Sequence, residues 1–312
     1  ALRELAWLLA VCPHADLRDG KRSLTLAQRA CELTQNQEYR CLVSLVGAHA
    51  ENGAFQAASR WQRQAIKNLP QGRSSHELEA RLDFYKGSKH LHAEYVQPLV
   101  AWWKCEEADD QQVLDSSGNA LHGELVGDAK IVFDPDRGHV RSLDGQKDWV
   151  DGGNDIRFSL VEQDTICAWI KGKSFDKSYQ VVVAKGNLAW RIQRNRSTDA
   201  IELCCNGLEV LGDTPSTVEG TNKVNDESWH HIVGVYDGIK LYQYIDGKLD
   251  ACARAWGNID SNRHSIYIGV DTESDGREWN GLIDDVRIYN YALSEAQIRS
   301  LYEDKESAET SR

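Results

Sequence analysis

Short apolar runs alternate with polar residues and turn signals through the second part of the chain. Between residues 229 and 249, two β-prone runs each lead into an Asp-Gly pair, at 237–238 and at 246–247. Asp-Gly between such runs is a strong hairpin signal, because glycine tolerates the positive φ that a tight turn needs. Asn206 and Gly207 mark a further turn of this kind. The pattern predicts an antiparallel β-sandwich of two sheets.

The sandwich is predicted to span residues 98–303 and to end in a short helix. Its clearest predicted strands are 99–105, 165–170, 180–184, 190–193, 201–205, 265–270 and 282–288, and a turn-rich loop is predicted at 115–121. Ser294 and Gln297 have the spacing of a capping box at the start of the last helix. Residues 304–312 are predicted to be a polar tail.

The first part of the chain repeats apolar residues at helical spacing instead. Helices are predicted at 1–12, 23–33, 39–51, 55–69 and from 74 or 75 to 85. The second and fourth repeat at an offset of roughly 35 residues, which is typical of tetratricopeptide repeats. Residues 1–86 therefore form a predicted segment of antiparallel helical repeats, joined to the sandwich by a linker at 87–97. A packing scaffold and a peptide-binding groove both remain open for it.

Charge divides the chain in the same place as periodicity does. The net charge of −12 over 312 residues is uneven, because residues 1–97 are slightly basic and all of the acidic excess follows residue 97. An acidic sandwich argues against a nucleic-acid partner, since phosphate binding needs Lys and Arg. Such a surface suits cations instead. No apolar run in the sequence is long enough to span a bilayer.

Two residue types bear on processing and redox state. The chain has no Met, which predicts a piece of a longer or processed protein with a further domain upstream. Its eight cysteines show no zinc spacing and are too sparse for a disulfide scaffold. Buried free thiols are the favoured interpretation. The alternative is one cross-strand disulfide that joins Cys204 or Cys205 to Cys167 or Cys252.

Four segments in order resemble a known family. They are WHHIVGVYDG with LYQYIDGKLD, LVAWWKCEEADDQQVLDSSGNALHGELVG, LDGQKDWVDGG and GLIDDVRIYNYALSEAQIRSLY. They look like the laminin-G-like, concanavalin-A-like jelly rolls of bacterial secreted proteins. The helical segment, with AWLLAVCP and RDGKRSLTLAQRACELT, resembles the tetratricopeptide-like part of planctomycete multi-domain proteins. The resemblance implies an extracytoplasmic or cell-envelope location.

The clan with this fold includes glycoside hydrolases, and the sequence lacks their signature. The Glu-x-Asp-x-x-Glu strand of the relevant relatives, the Gly-x-Ser-x-Gly elbow and a phosphate-binding glycine loop do not occur. We therefore predict a non-catalytic binding module for a carbohydrate or a protein surface. An architectural adhesion or envelope-assembly module without a small ligand is the first alternative, and a cryptic glycosidase is the second.

Aromatic residues near loops are the predicted ligand-binding set. Trp190, Trp256 and Trp279 lie near loops or strand ends, where an exposed indole stacks on the apolar face of a sugar ring. Arg191 lies beside the first of them and suits an anionic group. The alternative is that these tryptophans fill the open ends of the sandwich.

A structural calcium ion is the predicted cofactor. Strict alternation along the last strand places Asp284 on one face with three apolar residues, where a carboxylate needs a cation or several donors. In the family that the chain resembles, the first and last strands are neighbours. The loop after the first strand would then bring Asp115, Asn119 and the carbonyl of His122 to Asp284, a mixed oxygen set that calcium accepts. The alternative is that Asp284 accepts backbone N–H bonds and binds no metal.

Overall fold

The protein consists of two compact units. The computed structural model describes residues 2–12, 17–70, 75–87, 99–105, 112–210 and 216–309. The units are Ala1–Gln97 and Pro98–Arg312. Residues 88–97 of the predicted linker lie outside the described residues. Within the described parts, none of the helices has both the length and the apolar character that a membrane crossing requires.

The first unit is helical, as the 3.6-residue period predicted. Its described helices are α1 (Leu2–Val11), α2 (Gly20–Leu33), α3 (Tyr39–Glu51), α4 (Phe55–Lys67) and α5 (His76–Lys86). Each packs on the next, and α1 also packs on α3. Ala30 and Ala65, the residues that match at the repeat offset, are both buried in one cluster. The assignment to tetratricopeptide repeats stays a prediction.

Helix α2 begins three residues earlier than the sequence predicted. The carboxylate of Asp19 accepts a hydrogen bond from the backbone N–H of Arg22 at 2.9 Å, which is the geometry of an N-cap. The cap satisfies one of the N–H groups that the start of a helix leaves free. The helix therefore starts at Gly20, directly after its cap.

The second unit is an antiparallel sandwich of two sheets, as predicted. In the described residues one sheet has nine strands. In spatial order they are β11 (Glu209–Val210), β15 (Lys248–Trp256), β14 (Lys240–Ile245), β13 (His230–Tyr236), β7 (Asp164–Gly172), β17 (Asn280–Tyr289), β5 (Gly138–Asp144) and β4 (Lys130–Asp134), with β1 (Leu99–Trp103) also paired to β17.

The other sheet has eight strands in the described part of the chain. In spatial order they are β12 (Thr217–Glu219), β10 (Ile201–Cys205), β9 (Trp190–Arg194), β8 (Val181–Ala184), β16 (Tyr267–Ile268), β6 (Trp149–Asp151), β3 (Gly123–Val126) and β2 (Gln112–Val113). The predicted turn between β14 and β15 has φ of 51° at Asp246 and 70° at Gly247. A type I′ turn requires positive φ at both positions, which explains the Asp-Gly pair.

The hydrophobic core lies between the two sheets. Trp103, Trp190 and Trp279 are its largest fully buried side chains. A second apolar cluster covers the opposite face of the nine-stranded sheet, where Ile298 of helix α6 (Glu295–Glu309) packs with strand residues. The predicted capping box is present, since the N–H of Ser294 donates to Gln297 Oε1 at 2.9 Å. The helix continues beyond the predicted end of the domain at residue 303.

A β-bulge in β17 changes which face Asp284 occupies. Pairing with β7 shifts between Asp284 and Arg287, and Asp285 has φ of 52°. The extra residue reverses the alternation, so Val286 joins Ile283 in the core while Asp284 lies on the outer face of the sheet. The prediction that Asp284 shares a face with Val286 and Ile288 is therefore wrong.

Asp164 at the start of β7 makes the stability of the sandwich depend on pH. Burial raises the pKa of Asp164 to about 8. Its pKa in an unfolded chain is about 3.9. The folded state therefore holds one more proton between these values, and its stability falls as pH rises through that window.

We expect Asp164→Asn to stabilise the protein by about 1–3 kcal/mol at pH 8, because it removes the ionisation that burial opposes. Near pH 4 the variant and the parent should unfold at similar denaturant concentrations. Denaturant unfolding at both pH values provides the measurement. A variant that is less stable at pH 8 would show that the carboxylate is needed in its ionised form.

Candidate ligand-binding face

Strand alternation gives the eight-stranded sheet one apolar face and one polar face. Directly paired residues form an inner row of Leu125, Val150, Ile268, Val183, Ile192, Leu203 and Val218, all of which pack in the core. The residues beside them form an outer row of Gln112, Glu124, Asp151, Tyr267, Ala184, Arg191, Cys204 and Thr217. Since neighbours along a strand point to opposite faces, this polar row lies on the face away from the core.

Arg191 is held in place near the middle of the polar row. Its Nε donates to Gln193 Oε1 at 3.0 Å, and its Nη1 donates to the carbonyl of Asn187 at 3.0 Å. Its side chain is half-buried. Two hydrogen bonds thus fix the planar guanidinium before any ligand binds, and a guanidinium fixed in this way recognises carboxylate or paired hydroxyl oxygens with little loss of entropy.

The residues two positions away along β9 and β10, on the same outer face, are polar and largely buried. Gln193 pairs with Glu202, and Gln193 Nε2 donates to Glu202 Oε1 at 2.6 Å. Burial raises the pKa of Glu202, and the hydrogen bond from Gln193 opposes this rise.

Cys204 and Cys205 point to opposite faces as predicted, with Cys205 in the core. None of the eight cysteines, all of which lie in the described residues, forms a disulfide; Cys252 is exposed, and Cys167, Cys204 and Cys205 are buried.

Loops at one end of the face form a hydrogen-bonded rim. Arg277 Nη1 donates to Asn187 Oδ1 at 2.7 Å and to Asp271 Oδ2 at 2.9 Å. Asn187 Nδ2 donates to Ser274 Oγ at 2.8 Å. Because the carbonyl of Asn187 also accepts from Arg191, this rim connects directly to the polar row.

Two of the four predicted ligand-binding residues are not available to a ligand. Trp190 and Trp279 are fully buried in the core, so the prediction of exposed indoles at these positions is wrong. Trp190 precedes Arg191 on β9, and alternation points it inward when Arg191 points outward. Trp256 is exposed, but it lies on β15 of the other sheet and its Nε1 donates to Glu209 at 2.9 Å. The structure therefore does not bring the predicted set together.

The predicted metal residues make protein contacts of their own. Asp115 accepts four hydrogen bonds, with the N–H of Trp102 and of Ser117 on Oδ1, and the Ser117 hydroxyl and the N–H of Leu121 on Oδ2. Four donors already occupy this carboxylate.

The two other loop residues of the predicted metal set also bond to protein. Asn119 Nδ2 donates to the carbonyls of Leu99 and Val100 at 3.0 and 2.9 Å. His122 Nδ1 accepts from the N–H of Asp115 at 3.0 Å. Each of these contacts lies within the loop or joins it to the first strand.

Asp284 lies in a different environment from Asp115. It pairs with Arg137 at 2.7 Å, and both side chains are buried. The Arg137 guanidinium lies 4.0 Å from the ring centroid of Trp169 and 5.2 Å from that of Trp229. The Arg137 guanidinium thus supplies a positive charge beside Asp284. Calcium at Asp115, Asn119, His122 and Asp284 stays a prediction, and these contacts do not favour it.

A different group of carboxylates can hold a cation. One oxygen each of Asp128, Asp144 and Asp148 lies within 4.8 Å of the others. They lie in the turn after β3, at the end of β5 and before β6. The sequence LDGQKD contains two of them at a spacing of four, but only folding adds the third.

The adjacent histidines differ in environment. Burial lowers the pKa of His231 to about 3. Burial also opposes charge on His230, but hydrogen bonds with Asp246 and Asp226, at 2.9 and 3.1 Å, outweigh it and raise the pKa. Both side chains thus have contacts that fit a role in folding.

Comparison with protein families identifies the sandwich. The family Laminin_G_3, described as the concanavalin A-like lectin/glucanases superfamily, matches residues 144–299, which is half of the chain. The chain belongs to this family. The match covers the sandwich from the end of β5 to the first residues of helix α6. No curated protein matches the chain in sequence.

Solved structures with a similar fold include parts of a secreted enzyme and of toxins. Domain 4 of AbnA, a GH43 extracellular arabinanase from Geobacillus stearothermophilus in complex with arabinotriose, is 18% identical with a TM-score of 0.51. The similarity covers 65% of this chain and 98% of that domain.

Two toxin domains are similar to the same degree. The binding domain of Paraclostridial Mosquitocidal Protein 1 is 16% identical with a TM-score of 0.53, over 66% of this chain and 52% of that chain. The receptor binding domain of a botulinum neurotoxin C/D mosaic serotype is 18% identical with a TM-score of 0.51, over 66% and 51%. The chain thus spans about half the length of these toxin domains, and at these identities the likeness concerns the fold alone.

Proposed function

We propose that this protein is a non-catalytic carbohydrate-binding module whose ligand lies along the polar row of the eight-stranded sheet. The observation that carries the proposal is the continuity of that row, from Gln112 on β2 to Thr217 on β12. A linear oligosaccharide is an extended chain of hydroxyl groups, and the polar members of the row, which exclude the buried Ala184 and Cys204, offer it donors and acceptors at intervals along the sheet. The spacing between neighbouring strands, about 4.8 Å, sets that interval.

The centre of the row combines the two kinds of contact that sugars use. Tyr267 is half-buried on the outer face, with Asp151 opposite it on one side and Ala184 on the other. Ala184 between them is fully buried, so Tyr267 and Arg191 supply the accessible surface at this point of the row. A partly exposed aromatic ring packs against the apolar face of a sugar, and Asp151 and Arg191 lie on either side of Tyr267 along the row as an acceptor and a donor.

The relatives support the same ligand class. One similar fold was solved with arabinotriose bound, and others are toxin binding domains. We also propose an extracytoplasmic location, supported by the extracellular arabinanase among these relatives. A catalytic role is not proposed, because the sequence lacks the hydrolase motifs of related enzymes. The absence of sugar release from polysaccharides by the purified protein tests that part.

We expect Arg191→Ala and Tyr267→Ala each to weaken oligosaccharide binding by about tenfold or more, because each removes a preorganised contact at the centre of the row. Binding to a glycan array, followed by calorimetry on the best ligand, gives the measurement. Arabinotriose and acidic oligosaccharides belong in the panel. Trp256→Ala is the matched control, since it removes an exposed aromatic side chain from the other sheet.

Loss of binding in Trp256→Ala, with full binding in Arg191→Ala, would move the site to the other sheet and contradict the proposal. An array without any bound glycan would leave a protein surface as the ligand class. Binding to a partner protein that is lost in Arg191→Ala and Tyr267→Ala would then identify the same face as a protein-binding surface.

A further inference from the structure

Three carboxylates meet at one edge of the sandwich, and no basic residue in the described parts of the chain pairs with them. Asp128 and Asp144 are exposed and Asp148 is buried, and one oxygen of each lies within 4.8 Å of the others. Among the described residues, no Lys, Arg or His forms an ion pair with any of the three. Like charges this close repel one another, and the repulsion is strongest at the buried member.

The buried carboxylate has an oxygen that nothing satisfies. Asp148 is 1% exposed, its Oδ2 accepts from the N–H of Asp144 at 2.8 Å, and its Oδ1 has no hydrogen-bond partner. A buried oxygen without a hydrogen-bond partner destabilises the folded state unless a ligand supplies the missing contact. Burial, together with the charges of Asp144 and Asp128, raises the pKa of Asp148 to about 6. The same surroundings that disfavour a lone carboxylate favour a bound cation.

We propose that Asp128, Asp144 and Asp148 bind a calcium ion. Two oxygens on one calcium ion lie at most about 5 Å apart, twice the usual 2.3–2.6 Å bond, so the observed separations fit a shared ion. Calcium accepts carboxylates in flexible geometry and takes six to eight oxygens, which lets water complete the shell of an edge site. Magnesium demands a smaller and more regular set.

The backbone around the cluster is built to keep it together. A Cβ on Gly127 would clash with the carbonyl oxygen of Lys147, so only glycine lets the two turns come this close. This close approach of the two turns brings Asp128 beside Asp148. On the other side, Asn280 pairs with Asp144, and its buried Oδ1 also has no partner. A neutral oxygen at this position is a candidate fourth ligand.

This site is separate from the polar row and does not depend on the proposed sugar binding. Its test is calorimetric titration of the chelator-treated full chain with calcium chloride alone, together with thermal melts in calcium and in chelator. We expect one ion per chain, a Kd at or below about 1 mM, and a rise in Tm on the order of 5 °C at saturation.

Asp128→Asn is the decisive variant, because Asp128 is exposed and its loss does not disturb the core. We expect it to weaken calcium binding by about tenfold or more, since affinity follows the number of charged ligands. In chelator it should melt at or above the parent, because one repelling charge is gone. Asp136→Asn, which removes an exposed acid from the next turn, is the matched control and should bind calcium like the parent.

Three results would overturn the proposal. The first is the absence of heat and of any Tm change at about 10 mM calcium, well above the range of weak extracellular sites. The second is equal binding by Asp128→Asn and Asp136→Asn. The third is loss of binding in Asp115→Asn with full binding in Asp128→Asn, which would place the ion in the loop after the first strand.

Discussion

Asp284→Asn is expected to lower the free energy of unfolding by about 3–5 kcal/mol, because it leaves Arg137 buried without its counter-charge. The two side chains are 1% and 3% exposed and their atoms are 2.7 Å apart. Arg137 Nη2 has no hydrogen-bond partner, so the guanidinium relies on this carboxylate and on the ring of Trp169. Asparagine retains the size of the side chain but supplies no charge.

Denaturant unfolding measures this loss, and two further variants interpret it. The double variant Arg137→Met with Asp284→Leu removes both charges and should recover most of the stability, because a buried ion pair is often replaceable by apolar residues. Glu303→Gln breaks the exposed Arg299–Glu303 pair on helix α6 and should leave the unfolding midpoint unchanged.

Asp284→Asn also distinguishes between two explanations of the role of Asp284. If the carboxylate of Asp284 acts as the ion-pair partner of Arg137, the loss of stability is the same in calcium and in chelator. If it binds calcium, as strict alternation suggested, the variant resembles the parent once chelator is present. A destabilisation that chelator abolishes would therefore contradict the ion-pair account.

The sandwich could be predicted from sequence because its signals are local. Two-residue alternation defines a strand, and an Asp-Gly pair such as 246–247 defines a turn, without reference to distant residues. The bulge at Asp285 could not be predicted in this way. Pairing with β7 determines where the bulge lies, and the positive φ at Asp285 falls on a residue that is not glycine, so the sequence gives no sign of it. The extra residue of the bulge places Asp284 on the face opposite to the predicted one, and this removes the basis of the predicted metal site.

The polar row was missed for a related reason. Tyr267, Asp151 and Glu124 are neighbours only because β16, β6 and β3 pair in register, and single-strand alternation does not give the order of strands in a sheet. The carboxylate cluster depends in the same way on two turns that only folding brings together. Burial of Trp190 could have been predicted from the sequence, since Trp190 and Arg191 are adjacent on a strand and must face opposite sides.

Trp190→Ala is expected to lower the free energy of unfolding by about 3–5 kcal/mol, the usual cost of deleting a large core side chain. Trp190 is fully buried and belongs to the cluster between the sheets. Its indole Nε1 has no hydrogen-bond partner. Trp190→Phe removes that buried donor while it keeps an aromatic ring, so its cost should be smaller, about 1 kcal/mol.

Comparison with Arg191→Ala separates packing from recognition at adjacent positions. Arg191→Ala should lose ligand with a smaller loss of stability, because Arg191 is half-buried on the outer face. Trp190→Phe should lose little of either property. Denaturant unfolding and ligand titration of the three variants provide the measurements. A near-neutral Trp190→Ala, or a Trp190→Phe variant that folds normally but no longer binds ligand, would show that the indole serves recognition rather than the core.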